Sequence, residues 1–172
     1  MNIAVVPGHR PGAPGAGKAG LYEYPVAHSL ARAIAERVDV EVYTRPDYDG
    51  GLWDLVHRLN EDPVDAVLSI HFNATDDGVE SPDIGYCLHY PESEGGAAMA
   101  EALTEGVALP EIPRVDPRAS AELALLRETT MSVVIDEVCY IDRADHRRAL
   151  LMNLDALADD YAEALTRFDD EA

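Results

Sequence analysis

Lysine is almost missing from this chain: Lys18 stands alone, and with the arginines it makes only 13 basic residues against 33 acidic ones. The resulting formal net charge of -20 repels a nucleic-acid duplex or an anionic membrane surface, so neither is an expected partner. Cysteine is scarce as well. Cys87 and Cys139 lie far apart and form no CxxC pair, which fits a reducing compartment or two packed thiols better than a disulfide framework. No apolar run approaches membrane-spanning length, and Met1-Asn2 carries neither a basic n-region nor a small-residue cleavage pattern. Membrane insertion and export by a leader are therefore not expected. A phosphate loop is excluded too, because Gly17-Lys18 is followed by Ala19 rather than Ser or Thr. What the acidic excess does suggest is salt. Dispersed Asp and Glu, with Arg in place of Lys, resemble proteins of salt-loving organisms, where ionic strength screens the mutual repulsion. An ordinary acidic protein from a GC-rich genome is the alternative.

At 172 residues the chain suits one domain over 1–172, long enough to bury a core without disulfides or a structural metal. The stretch Ala66-Val67-Leu68-Ser69-Ile70-His71-Phe72-Asn73-Ala74 is apolar without alternation until it meets His71 and Asn73. Such a run predicts a strand buried on both faces, inside a parallel sheet covered by helices. His71 then falls where the strand leaves the sheet, at the carboxyl edge where open α/β sheets bind their ligands. Residues 2–6 predict a first strand, closed by Pro7-Gly8 and again by a histidine, His9. A Gly/Pro/Ala loop follows over 10–20. Ala27, Leu30, Ala31, Ile34 and Val38 then place an apolar stripe on a helix with Glu23 in its first turn.

Further on, residues 40–45 predict a strand near the sheet edge, 52–60 a second helix, 84–90 another strand and 93–109 an Ala-rich helix. The acidic loop over 75–83 is a candidate for substrate contact, while 110–117 is an irregular linker without evident chemistry. Residues 124–127 and 132–137 are expected to supply the last strands, the second ending in Glu137, before a helical tail from Asp142. His28 and His57 are expected at the solvated surface and His89 in a structural or surface role rather than as a ligand. The order of elements predicts an α/β fold: a mostly parallel twisted sheet, helices on both faces, and a metal site at the carboxyl edge of the strands.

His9 and His71 at strand ends, Glu23 at a helix start and Glu137 at another strand end are the parts of a hydrolytic zinc site. Catalytic zinc takes three protein ligands and leaves the fourth position open, and a neighbouring carboxylate serves as base. Each part also has a plain structural reading. A first-turn glutamate compensates the helix dipole, a lone histidine is commonly a hydrogen-bonded structural residue, and Glu137 has Arg127 as an ion-pair candidate. A shared place at one sheet edge favours the site. Asn73 and Arg127 are the candidates for substrate binding.

These pieces, in this order, resemble the zinc-dependent N-acetylmuramoyl-L-alanine amidases of bacterial wall hydrolases and phage endolysins. Val6-Pro7-Gly8-His9 with Pro14-Gly15-Ala16 is similar to the family's opening motif, and Glu23 to its helix-borne glutamate. Thr44-Arg45 with Asp47 is similar to its second strand, and Ser69-Ile70-His71-Phe72-Asn73-Ala74 to its signature. Met131-Ser132-Val133-Val134-Ile135-Asp136-Glu137, with Tyr140-Ile141 and Asp145, resembles the segment that carries the catalytic glutamate. The resemblance implies Zn2+ held by His9, Glu23 and His71, with Glu137 as general base and then proton donor. The bond cut would be the amide between N-acetylmuramic acid and L-alanine in peptidoglycan. Ala13, Ser132 and Val138-Cys139 depart from the family pattern without removing a ligand. A catalytic domain without an export signal looks like an endolysin, so a cytoplasmic location until release onto the wall is expected, in a salt-loving host.

Other functions could use the same residues. A zinc peptidase or amidohydrolase on other peptides or N-acyl amino acids would keep the ligands and change pocket walls such as Asp76, Asp77 and Glu80. A zinc-binding or wall-binding module would keep the fold but needs no base, which makes Glu137 the discriminator. Cys139 as a nucleophile with His146 lacks an evident activating environment, since it follows an apolar strand.

Overall fold

Unbroken apolar runs make the central strands, because a strand covered on both faces has no solvent side to alternate with. The computed structural model describes residues 1–75 and 79–172. Its elements in chain order are β1 (Ile3–Pro7), β2 (Gly17–Lys18), β3 (Leu21–Tyr22), α1 (Glu23–Ala35), β4 (Glu41–Val42), α2 (Gly51–Glu61) and β5 (Ala66–Asn73). They continue with β6 (Tyr86–His89), α3 (Glu94–Gly106), β7 (Arg118–Ala119), α4 (Ala124–Arg127), β8 (Ser132–Tyr140), α5 (Ala144–Met152) and α6 (Leu154–Glu171).

Six strands form one sheet in the order β4-β1-β5-β8-β6-β7. The first four run parallel, β6 turns antiparallel against β8, and β7 follows β6 in parallel. This is the mostly parallel α/β sheet expected from the order of elements. Period-two alternation then sorts the side chains. Val5, Leu68, Ile70, Phe72, Val134 and Val138 face a large core closed by α1, α3 and α6. Ala4, Val6, Val67, Val133 and Ile135 face a smaller one, where Leu55, Val56 and Leu59 of α2 meet Leu125 and Leu126 of α4. The thinner cover on this second face leaves a cleft open over its carboxyl end. No helix among the described residues is long and apolar enough to cross a membrane.

The structure departs from the sequence reading in several places. Residues 124–127 are not a strand: Arg127 N–H donates to Leu123 O and Glu128 N–H to Ala124 O, closing one helical turn with Leu125 and Leu126 buried. A four-residue apolar run carries no period that could distinguish the two states. β8 does not stop at Glu137 but runs to Tyr140, so Glu137 sits inside the strand, opposite His71. The strand expected over 40–45 pairs at the sheet edge only through Glu41 and Val42. The helical tail breaks at Asn153, between α5 and α6. His28 is half-buried, whereas His57 is exposed and His89 half-buried with Nδ1 on Tyr90 O.

The linker over 110–117 carries a charge that sequence reading missed. Arg114 inserts beneath the sheet, where its NH1 lies 2.8 Å from Oδ1 of Asp136, a residue with 0% exposure. Tyr161 OH donates to Asp136 Oδ2 at 2.6 Å, and Arg114 NH2 donates to Cys87 Sγ at 3.0 Å. Burial pushes the Cys87 and Cys139 thiols up, Asp136 adds to the effect, and neither is poised as a nucleophile.

Candidate metal centre and active site

His9 leaves the end of β1 with φ 66, a left-handed conformation that a residue with a Cβ adopts only at a cost. That turn sends its ring back over the sheet. His71 arrives from β5, just before a register irregularity between His71 and Asn73 against β8, the kind of bulge that re-aims side chains beside a site. Glu23 opens α1 and is buried. Its Oε1 accepts from Ala16 N–H at 2.7 Å and its Oε2 from Phe72 N–H at 3.2 Å, which fixes the carboxylate between the two histidines.

The three side chains converge. His9 Nε2 lies 3.2 Å and His71 Nδ1 3.6 Å from Glu23 Oε2, and the ring centroids are 5.1 Å apart at 65°. One ligand atom from each of His9, Glu23 and His71 falls within 4.8 Å of the others, so the group could hold a metal ion. Tetrahedral zinc, bound at about 2.0–2.2 Å, separates its ligand atoms by roughly 3.3–3.5 Å, and the two contacts here bracket that spacing. Glycines make the room. A Cβ at Gly8 would stand 2.7 Å from His71 Nδ1, and one at Gly15 would stand 2.5 Å from the His9 ring and 2.8 Å from Glu23 Oε1. Burial alone would raise the Glu23 carboxyl, but hydrogen bonds from His71, His9 and Ala16 outweigh it and hold the group down at about 2.

Glu137 stands across from His71 in the strand register and lines the same cleft, of about 290 Å³, with His9 and His71. Its Oε2 is buried without a hydrogen-bond partner among the described residues. Burial, and after it the charges of Glu23 and Asp136, push the carboxyl up to about 8. Arg127, the ion-pair alternative for Glu137, instead pairs with Glu128 and donates to the carbonyls of Ala121 and Glu122. Neither Arg127 nor Asn73 lines the cleft. Asn73 Nδ2 donates to Tyr86 OH at 2.6 Å, and its Oδ1 accepts from Ala74 N–H.

Asp76 and Asp77 lie outside the described residues. Around them, Thr75 and Ser81 are drawn together on Asp142, and Glu80 borders a separate hollow beside Lys18. A second acidic cluster, Asp83 and Asp145 with His146, is already filled by charge: Arg143 pairs with both aspartates, and His146 donates from Nε2 to Asp83 because Nδ1 accepts Tyr140 N–H. His146 is thus a tether rather than a partner for Cys139. Sequence reading also missed how the loop after His9 is pinned. Arg10 pairs with Asp47 and Asp49, and Gly12 N–H donates to Asp47. The Asp47 signal was present beside Thr44-Arg45, but its partner is 37 residues away in sequence.

Fold and site together define an α/β protein with a His/Glu/His metal centre and an adjacent buried carboxylate. Comparison of sequences makes this specific, since a family model for N-acetylmuramoyl-L-alanine amidases matches residues 3–167. The chain belongs to that family of zinc-dependent hydrolases, as a catalytic domain acting on the amide between N-acetylmuramic acid and L-alanine of peptidoglycan. No curated protein matches. Among solved structures it is similar to the N-acetylmuramoyl-L-alanine amidase AmiC2 of Nostoc punctiforme, at 22% identity and TM-score 0.82 over 99% of this chain and 97% of that one. The catalytic domain of the amidase CwlV from Bacillus (Paenibacillus) polymyxa is similar at 21% identity and TM-score 0.82, covering 99% of both chains. The catalytic domain of the CD27L endolysin, which targets Clostridia difficile, is similar at 18% identity and TM-score 0.76 over 97% of each.

Proposed function

We propose that His9, Glu23 and His71 hold the zinc ion and that Glu137 is the catalytic base and acid of the amide cleavage. Zinc supplies Lewis acidity toward water and the scissile carbonyl. The chain's own residues do the rest. Glu137, across from His71, takes the proton of the attacking water as its oxygen adds to the carbonyl carbon. When the carbon–nitrogen bond breaks, Glu137 returns that proton to the L-alanine nitrogen, leaving a muramic carboxylate and a free amine. An acceptor of this kind works best when its proton affinity lies near the working pH. Burial moves Glu137 in that direction, and positive charge at the triad acts in the opposite sense. The observation that carries this reading is the unpartnered Oε2 of Glu137 in the cleft beside His71. A structural glutamate would have a partner; a wall-binding module has no use for this one.

We further propose a lytic enzyme of the endolysin kind, made in the cytoplasm of a salt-loving host and acting on the wall after release. The dispersed acidic excess supports the salt, and the fold shared with an endolysin catalytic domain supports the role. The first experiment measures new alanine amines released from purified peptidoglycan, with zinc and in molar salt. Wild type should release them, and Glu137→Ala should be slower by about two to four powers of ten while keeping fold and zinc stoichiometry. Full activity in Glu137→Ala would move the base elsewhere. Lysis of intact cells from outside at molar salt, absent at low salt, tests the second reading; equal lysis at both would remove the halophilic half.

A further inference from the structure

Arg45 is half-buried and has no carboxylate partner among the described residues, in a chain with 33 acidic residues. It lines the cleft with His9, His71 and Glu137. It makes no hydrogen bond or ion pair among the described residues, and its Nε is buried with no partner. The two carboxylates that follow it in sequence, Asp47 and Asp49, both go to Arg10. Burying guanidinium surface without an acceptor is unfavourable, so a site that keeps one is shaped for an acceptor that arrives with the ligand. The remainder of the cleft narrows what that ligand is. Leu52 and Leu55 of α2 form one wall and Leu123 and Leu125 at α4 the other. The floor is the row Val6, Ser69 and Ile135, aligned by strand register directly before the row of His71 and Glu137. Ser69 also has a buried hydroxyl without a partner among the described residues. No other lysine or arginine among the described residues lines this cleft.

We propose that Arg45 is a specificity-determining residue that binds a carboxylate on the peptide arm of the substrate, one residue beyond the L-alanine whose nitrogen is released. The proposal rests on the amidase reading for the identity of that arm. Its spacing agrees: β4, which leads into Arg45, lies two strands from β5 and His71, about 10 Å across the sheet, and two residues of extended peptide span about 7 Å, the rest being within reach of the arginine side chain. A guanidinium in an apolar cleft holds a carboxylate with paired charge-assisted hydrogen bonds. The corresponding amide lacks the charge and keeps only one acceptor oxygen, setting its NH2 against the second donor of the guanidinium, so the cleft should disfavour it. Arg45 thereby selects stem peptides with a free α-carboxylate on the second residue over stems in which it is amidated.

The test compares two defined substrates, N-acetylmuramoyl-L-alanyl-D-isoglutamate and its α-amide, with zinc-loaded wild type, Arg45→Gln and Arg45→Lys. Calorimetry adds the binding of the product dipeptides, L-alanyl-D-isoglutamate and its α-amide. Wild type should favour the acid in kcat/KM by about 10- to 100-fold. Arg45→Gln should bring the ratio close to one, and Arg45→Lys should restore part of it by charge alone. Equal turnover of acid and amide by wild type would overturn the proposal. So would a ratio that survives in Arg45→Gln, since the arginine would then only support the wall. If Arg45→Gln fails to fold, the wild-type ratio and Arg45→Lys still decide. If neither substrate is cleaved but the acid dipeptide binds at least 10-fold tighter than its amide in an Arg45-dependent way, the amidase reading fails and the carboxylate site stands. Absence of both turnover and acid-selective binding removes both.

Discussion

A Cβ on residue 15 would press on the His9 ring and on Glu23 Oε1 together, at φ +79 where a side chain is already strained. Gly20 has a similar φ of +82 and nothing within 4 Å of its imagined Cβ. The pair separates backbone strain from steric damage to the centre. Gly20→Ala should cost about 1 kcal/mol of stability and leave zinc affinity alone. Gly15→Ala should cost more stability and weaken zinc at least 10-fold by competition with a chromophoric chelator; unchanged affinity would show that the loop can move without disturbing His9 and Glu23. Chelation should also lower the melting temperature of wild type, since zinc at 100 times its Kd stabilises the fold by about 2.7 kcal/mol. The residues of the centre were legible in the sequence because strand ends and a helix start are local features. Arg45 was visible only as part of a motif. That it has no partner among the described residues depends on Arg10 reaching Asp47 and Asp49 from another loop.

β8 holds two carboxylates with different surroundings at neighbouring positions. Glu137 faces the cleft, while Asp136 faces the large core and meets Arg114 and Tyr161. Alternation along a strand makes this possible, and it places the Asp136 charge against the rear of the site, where it helps raise the Glu137 carboxyl. Asp136→Ala would leave the Arg114 guanidinium buried and unpaired, so unfolding in urea should reveal a loss of about 3–5 kcal/mol. Tyr161→Phe removes a single hydrogen bond, leaves the ion pair intact, and should cost about 1–3 kcal/mol. A cost for Asp136→Ala no larger than for Tyr161→Phe would mean that water reaches Arg114. At this scale the sequence was a good guide wherever the period was long enough. The stripe of α1 and the apolar run of β5 emerge as expected, whereas 124–127 was too short to carry a period and β8 extends past its charged pair.

The charge of the whole molecule sets its response to salt. With -20 net charge on a single domain, self-repulsion favours expansion, and raising ionic strength from about 0.1 M to 1 M shortens the screening length from about 10 Å to 3 Å. The melting temperature should therefore rise with potassium chloride over that range, by about 2–4 °C for each kcal/mol of repulsion relieved. A flat profile would sink the halophilic reading without touching the catalytic one. By itself the sequence determined the fold class and the order of most elements, and it singled out His9, Glu23, His71 and Glu137 as candidates, because burial patterns and element ends are written locally. Only the tertiary structure decided that Glu137 lies opposite His71, that Arg114 neutralises Asp136 under the sheet, and that Arg45 in the cleft has no partner among the described residues. Those outcomes are pairings across strands and loops, fixed by register and by which side chains reach each other first, and no local pattern encodes them.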